Sequence, residues 1–268
     1  MVKMIVSDMD GTLLDSNKNF PPDFDQIFQE LKKRGILFVA ASGRSYPKQR
    51  EIFQPYLEDM FFICDNGASI IHHDQWLYKN TLPREKLEKL LTACEQIPNI
   101  LPILCAPLNC YYQPYSPAFE PYLRSYFSTG NILNDVYSVS EPILKVAICD
   151  LQNAAVNSYP KLKHELDDEL NLVVSGELWM DAMNPFVNKG KALQFLQKKF
   201  SISPAQTMVF GDFYNDIEML ARADYSFVME NANDDMKQYG RWIAPSNDHY
   251  GVTREIWKYL SSADCFLT

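Results

Sequence analysis

The chain has 268 residues, 34 of them acidic and 25 basic, for a net charge of −9. That length suits one or two domains at ~150 residues each and can bury a core without disulfide or metal staples. An acidic chain repels nucleic-acid phosphates and anionic lipid, so neither is an expected partner.

KMIVS (3–7) is short, apolar and rich in β-formers, and it closes in DMDG, which predicts a buried strand ending in a turn. In PPDFDQIFQELKKRG, Phe24, Ile27, Phe28 and Leu31 recur at helical spacing between a proline start and a Gly35 stop. ILFVAAS (36–42) reads as a second buried strand, ending at Ser42-Gly43. A helical stretch covers about 46–56, and FFICDNG (61–67) reads as a third strand. This alternation predicts a doubly wound, Rossmann-like parallel sheet with helices on both faces.

Between Pro98 and Pro121 six prolines fall within 24 residues, which excludes a long helix. Around them the pattern predicts a helix over 84–96, a strand at ILKVAICD (143–150), a helix over 153–166 and strands at LVVSG and LWMDAM. Residues 83–186 therefore read as a smaller inserted α/β domain in a core made of 1–82 and 187–268. Tyr111, Tyr112, Tyr115, Phe119 and Tyr122 are expected to form the insert's own small core, the alternative being a stacking surface for a ring-bearing substrate. No catalytic group stands out in the insert. The alternation resumes with a helix from Lys189 using Leu193, Leu196 and Phe200, then the strand TMVFG (207–211). A helix with Ile217, Leu220 and Ala221, the strand YSFVM and a last helix in GVTREIWKYL complete the core.

The six cysteines (Cys64, Cys94, Cys105, Cys110, Cys149, Cys265) form no CxxC pair, and several sit in apolar runs, so they read as packed, reduced thiols. The N-terminus reaches Asp8 too soon for a signal peptide, and no apolar run approaches the ~20 residues of a membrane span. A soluble cytoplasmic protein is the expectation. His72 and His73, placed in a strand, would point to opposite faces and could not chelate together; His164 and His249 lack partners.

Asp8 and Asp10 follow the first strand, and in doubly wound sheets ligands bind at the carboxyl ends of strands. Ser42-Gly43 ends the second strand, and Asp212 ends TMVFG with Asp216 four residues on. Four carboxylates on one sheet edge repel unless a cation joins them, and oxygen-only ligation points to Mg²⁺. Lys189 adds positive charge at a helix start, where the dipole also favours an anion. Singly, these residues are ordinary turn and surface chemistry. Their common placement at strand ends and a helix start makes a phosphate site.

The same residues carry a resemblance to haloacid-dehalogenase-like hydrolases of the Cof-type phosphatase branch. Its four motifs stand in order as DMDGTLLD (8–15), AASGR (40–44), NKGKAL (188–193) and GDFYND (211–216). NGA (66–68), MENA (229–232) and GVTREI (251–256) are similar to further stretches of that branch. The resemblance implies a Mg²⁺-dependent phosphatase with Asp8 as nucleophile and metal ligand. It implies that Asp10 binds the metal through its backbone carbonyl and serves as general acid and base. Asp212 would be the third ligand and Asp216 an outer one. The Met9 amide, Ser42, Gly43, Lys189 and Asn215 would hold phosphate. Phe213 stands where a glycine is frequent and is expected to narrow the entrance. The carboxylates around Asp10 are expected to raise its pKa, as an acid role requires. The implied substrate is a small phosphomonoester, a sugar phosphate or phosphorylated cofactor, with the insert as a cap that selects it. A sugar phosphomutase is the alternative. A receiver-type signalling protein fits less well, because such proteins lack DxDGT and a cap-sized insert. Oligomeric state stays open.

Overall fold

β1 (Met4–Ser7), buried throughout, takes a central place in an eight-stranded sheet. The computed structural model describes residues 1–127, 130–166 and 169–264, so Cys265 lies outside the described residues. α1 (Phe24–Lys33) buries the four spaced residues Phe24, Ile27, Phe28 and Leu31, and Lys32 and Lys33 in its last turn complement the helix dipole. β2 (Leu37–Ala41) pairs with β1 in parallel, Ile5 opposite Phe38. α2 (Tyr46–Ile52) is shorter than the sequence pattern suggests; a separate 3₁₀ turn at Gln54–Tyr56 follows, where Pro55 removes a donor.

β3 (Met60–Cys64) pairs with β2 in parallel, as the alternation predicts, and beyond it the sheet gains an antiparallel edge. β4 (Ser69–His72) and β5 (Gln75–Lys79) fold back antiparallel as an edge hairpin. Its tip, His73-Asp74, has φ of +51° and +55°, both in the left-handed region that a two-residue turn requires. That turn overturns the expected opposition of the two histidines. His73 lies in the turn, not the strand, and its ring sits 3.9 Å from that of His72.

The insert builds a second, six-stranded sheet. Its elements are α3 (Arg84–Glu95), β6 (Ile100–Cys105), β7 (Cys110–Tyr112), α4 (Glu120–Tyr126) and β8 (Asn131–Ile132). β9 (Lys145–Asp150), α5 (Ser158–Leu166), β10 (Asn171–Gly176) and β11 (Trp179–Met183) complete it. α5 starts later than the predicted 153. The Asp150 carboxylate accepts from the Ser158 amide (2.9 Å) and from Asn157 Nδ2 (3.0 Å), and so fixes a lead-in turn before the helix. Strand alternation divides the sheet's faces. Val146, Ile148, Met180 and Ala182 pack with Leu87, Leu90 and Leu162 of α3 and α5. The other face carries Ala147, Cys149 and Trp179. Tyr112 and Phe119 are buried on that face with Tyr115 and Tyr122 against them, so most of the tyrosine cluster is packing; Tyr111 packs on the helix side.

The chain returns through α6 (Lys189–Phe200), capped by Asn188, whose side chain accepts from the Lys191 amide at 2.8 Å. β12 (Thr207–Gly211) lies beside β1, followed by α7 (Ile217–Leu220), β13 (Tyr225–Met229), the short edge strand β14 (Trp242–Ala244) and α8 (Gly251–Asp264). The two connections between core and insert are stitched together. Asn184 Nδ2 donates to Asn80 Oδ1 and to the Thr81 carbonyl, both at 2.7 Å. Among the described residues no helix is long and apolar enough to cross a membrane. The five described cysteines are all buried.

Candidate active site

Because β1 lies between β12 and β2, all parallel, the residues just past these strands share one edge. Asp8, Asp212 and Ser42 are thereby brought together from positions far apart in the chain. Lys189, the first residue of α6, has no exposed surface. Its Nζ lies 2.5 Å from Asp8 Oδ1 and 2.7 Å from Asp216 Oδ1. Carboxylate oxygens of Asp8, Asp212 and Asp216 all lie within 4.8 Å of one another. Asp216 also accepts at Oδ2 from the amides of Asp212 (3.0 Å) and Phe213 (3.2 Å), so both its oxygens are engaged. Thr12 donates to Asp212 Oδ1 at 2.7 Å. Gly11 completes the turn at φ +83°, and a Cβ there would stand 2.4 Å from Asp212 Oδ2.

One lysine does not balance three carboxylates. Burial pushes the Asp8 carboxyl well above its ordinary range; Lys189 opposes that, and Asp216 and Asp212 add to it. Burial, then Asp216, pushes Asp212 up to about 7. An oxygen-only donor set of this charge fits a hard divalent cation.

Asp10 behaves contrary to expectation. Its Oδ2 accepts from Arg44 Nε (2.6 Å), and its Oδ1 from Arg44 Nη2 (2.9 Å) and Lys18 Nζ (2.8 Å). Burial alone would raise its pKa, but Arg44 and Lys18 outweigh burial and hold it at about 2. The charges nearest to Asp10 are cations, not the neighbouring carboxylates. In this arrangement Asp10 can accept a proton; donating one requires Arg44 and Lys18 to withdraw.

The Ser42-Gly43 turn is held from both domains. The Asn66 amide donates to the Ser42 carbonyl (3.0 Å), and the Arg44 amide to Ser42 Oγ (3.1 Å). Asp65, Asn66 and Gly67 are three successive left-handed residues, with φ of +51°, +55° and +99°. At Gly67 a Cβ would stand 2.3 Å from the Asn188 carbonyl oxygen. The kink aims the Asn66 amide group at two partners. Its Oδ1 accepts from Asn215 Nδ2 (3.0 Å), and its Nδ2 donates to Asp181 Oδ2 (2.8 Å). From the insert, Lys145 Nζ donates to the Gly43 carbonyl at 2.6 Å and pairs with Asp181 Oδ1 at 3.0 Å. Burial pushes Asp65, 3.9 Å from that ammonium, up to about 7.

The insert therefore places polar groups at the site, although no catalytic group stands out in its sequence. The signal was available: Lys145 and Asp181 each occupy an inward position in strands whose alternate residues are apolar. Lys145→Met leaves a buried Asp181 without its cation, an expected loss of about 3–5 kcal/mol in urea unfolding. A loss below about 1 kcal/mol would show the pair to be energetically idle.

Core and insert enclose a cavity of about 210 Å³. Asp8, Asp10, Ser42, Gly43, Asp212 and Asn215 line the core side. Lys145, Asp181, Trp179 and Tyr126 line the other, and Phe213 is also part of the lining. Lys189 and Asp216 sit behind the lining, and Met9 turns its side chain into the apolar core, leaving only its backbone near the site.

The sequence pattern of haloacid dehalogenase-like hydrolases matches residues 5–256. The chain belongs to that family. The 5-amino-6-(5-phospho-D-ribitylamino)uracil phosphatase YbjI of Escherichia coli is 28% identical over 262 residues, spanning 97% of this chain and 96% of YbjI. YitU of Bacillus subtilis, named for the same activity, is 25% identical over 96% of this chain and 97% of its own length. The crystal structure of SMU.1108c from Streptococcus mutans superposes with a TM-score of 0.90 at 30% identity, covering 97% of this chain and all of that one. Like YbjI and YitU, the chain is a phosphatase.

Proposed function

We propose that this phosphatase is Mg²⁺-dependent and hydrolyses small phosphomonoesters through an aspartyl-phosphate on Asp8. The contact of Lys189 Nζ with Asp8 Oδ1 at 2.5 Å, in a fully buried setting, is the observation that carries the reading. Attack by one anion on another needs charge neutralised at the phosphoryl oxygens, and a buried lysine beside the nucleophile supplies part of it. Asp8 and Asp212 would hold the ion with their carboxylates and Asp10 with its backbone carbonyl, while Asp216 steadies Lys189 and the Asp212 turn. When bound, Mg²⁺ supplies the remaining neutralisation of phosphoryl charge. The Met9 amide, Ser42, Gly43, Lys189 and Asn215 hold the phosphate oxygens.

Asp8 attacks phosphorus as the ester P–O bond breaks; with Arg44 and Lys18 drawn away from it, Asp10 carries a proton and gives it to the leaving oxygen. Asp10 then accepts a proton from water, which attacks the acyl phosphate and frees inorganic phosphate and Asp8. Residues 83–186 serve as the cap on the 1–82 and 187–268 core. By its kinship with YbjI and YitU, the substrate we propose is 5-amino-6-(5-phospho-D-ribitylamino)uracil or a near analogue. The cytoplasm is the location we propose for the enzyme.

The test is phosphate release with and without Mg²⁺ over a panel containing that ester and common sugar phosphates. Turnover that vanishes with chelator and returns with Mg²⁺ is expected; metal-independent turnover would contradict the proposal. Ion binding should also be linked to pH. Asp212, pushed up to about 7, is partly protonated near neutrality, so protons compete with the ion for the site. Mg²⁺ must displace them, so calorimetry at pH 7 in buffers of different ionisation enthalpy should show proton release, and affinity should fall as pH drops below 7. Proton-neutral binding would contradict this.

A further inference from the structure

We propose, resting on the phosphatase reading, that Trp179 and Tyr126 form a stacking wall for a planar ring in the leaving group. The enzyme would then select ring-bearing polyol phosphates over ring-free sugar phosphates. Trp179 lies on the face of the insert's sheet opposite α3 and α5, and Tyr126 ends α4. Their ring centroids are 4.8 Å apart, and Phe127 lies 6.0 Å from Trp179. All three line the same cavity as Asp8 and Asp10.

Arg44 links Asp10 to this wall. Its guanidinium holds both Asp10 oxygens, and its Cζ lies 5.4 Å from the Tyr126 ring centroid. The leaving oxygen must come within reach of Asp10 to receive a proton. The carbons behind it therefore pass beside Arg44 towards Tyr126 and Trp179. A bare sugar meets that wall badly, because hydroxyls against apolar surface lose hydrogen bonds to water. A conjugated ring does the opposite. It buries its face on aromatic side chains, and such stacking is worth about ten- to a hundredfold in affinity. The Ser175 hydroxyl and the Lys145–Asp181 pair line the same cavity and can meet polar groups on a ring's edge. No residue of the insert's tyrosine cluster lines this cavity, so this wall and not that cluster is the aromatic surface that faces the site.

The experiment compares kcat/KM for 5-amino-6-(5-phospho-D-ribitylamino)uracil with that for D-ribitol 5-phosphate, which keeps the phosphate and polyol but lacks the ring. We expect the native enzyme to prefer the ring-bearing ester by about tenfold or more. Trp179→Ala and Tyr126→Ala should each shrink that preference, mainly through KM, and Trp179→Phe should restore most of it. Tyr126 is 39% exposed, so its variant tests the wall even where Trp179→Ala does not fold. Equal hydrolysis of the two esters by native enzyme, or a preference unchanged in the variants, overturns the wall and leaves the phosphatase reading standing. Hydrolysis of neither ester, with turnover of other phosphomonoesters, overturns the wall too; no turnover of any phosphomonoester overturns the phosphatase reading on which it rests.

Discussion

Asp8→Asn is expected to reduce turnover by roughly three orders of magnitude or more while the protein stays folded. An amide keeps the shape of the carboxylate and can still accept from Lys189, so the packing around β1 is preserved. It cannot form an acyl phosphate. Stability should hold or rise slightly in the absence of metal, because the substitution removes one of two buried carboxyls, Asp8 and Asp212, that burial and neighbouring carboxylates hold above their ordinary range. Phosphate release, circular dichroism and thermal unfolding measured together check this. Activity above about a hundredth of native in a folded variant would remove Asp8 from the nucleophile's role.

Lys189→Met should do two kinds of damage. Turnover falls severely, because nucleophile and phosphate then meet without the ammonium between them. Stability falls as well, since Asp8 and Asp216 lose the cation 2.5 and 2.7 Å away; breaking a buried pair this way costs about 3–5 kcal/mol. The sign of its pH dependence follows. Without the lysine, the Asp8 carboxyl, which burial already holds above its ordinary range, loses the charge that opposes that rise and moves further above its unfolded value. The variant's stability is thus fully present below about pH 4 and is lost as pH rises through the folded value. Urea unfolding of the variant at pH 5 and pH 8 should show the larger deficit at pH 8. Mg²⁺ should recover part of that stability and little of the turnover. A deficit equal at both pH values, or native kinetics, would contradict the assignment.

The core site was legible because its residues sit where strand ends and a helix start could be read directly. DMDG closes an apolar run, SG closes another, and Lys189 opens an amphipathic helix. Contacts that depend on side-chain paths were not legible. Nothing in the sequence shows that Arg44 turns back to grip Asp10, and charge counting alone suggested the opposite sign for the Asp10 pKa. The β4–β5 hairpin was missed because its turn is His73-Asp74 rather than an asparagine–glycine pair. In the insert, the proline-rich stretch hid short strands such as β7, and the conspicuous tyrosines drew attention to residues that pack. Lys145 and Asp181 were visible as charges inside apolar strands, yet their meeting with Gly43 and Asn66 needs the two domains brought together.

The most direct test of the central claim is to trap the phosphoryl group on the enzyme. Enzyme mixed with substrate and Mg²⁺ is quenched in acid within a turnover, digested with trypsin and analysed by mass spectrometry. Cleavage after Lys3 and Lys18 releases the peptide MIVSDMDGTLLDSNK (4–18), which carries Asp8 and Asp10 together. The account predicts a phosphoryl group on that peptide, located at Asp8, labile to hydroxylamine and absent from Asp8→Asn. Rapid turnover with no acyl phosphate at Asp8 at any quench time, or one located at Asp10, would contradict it.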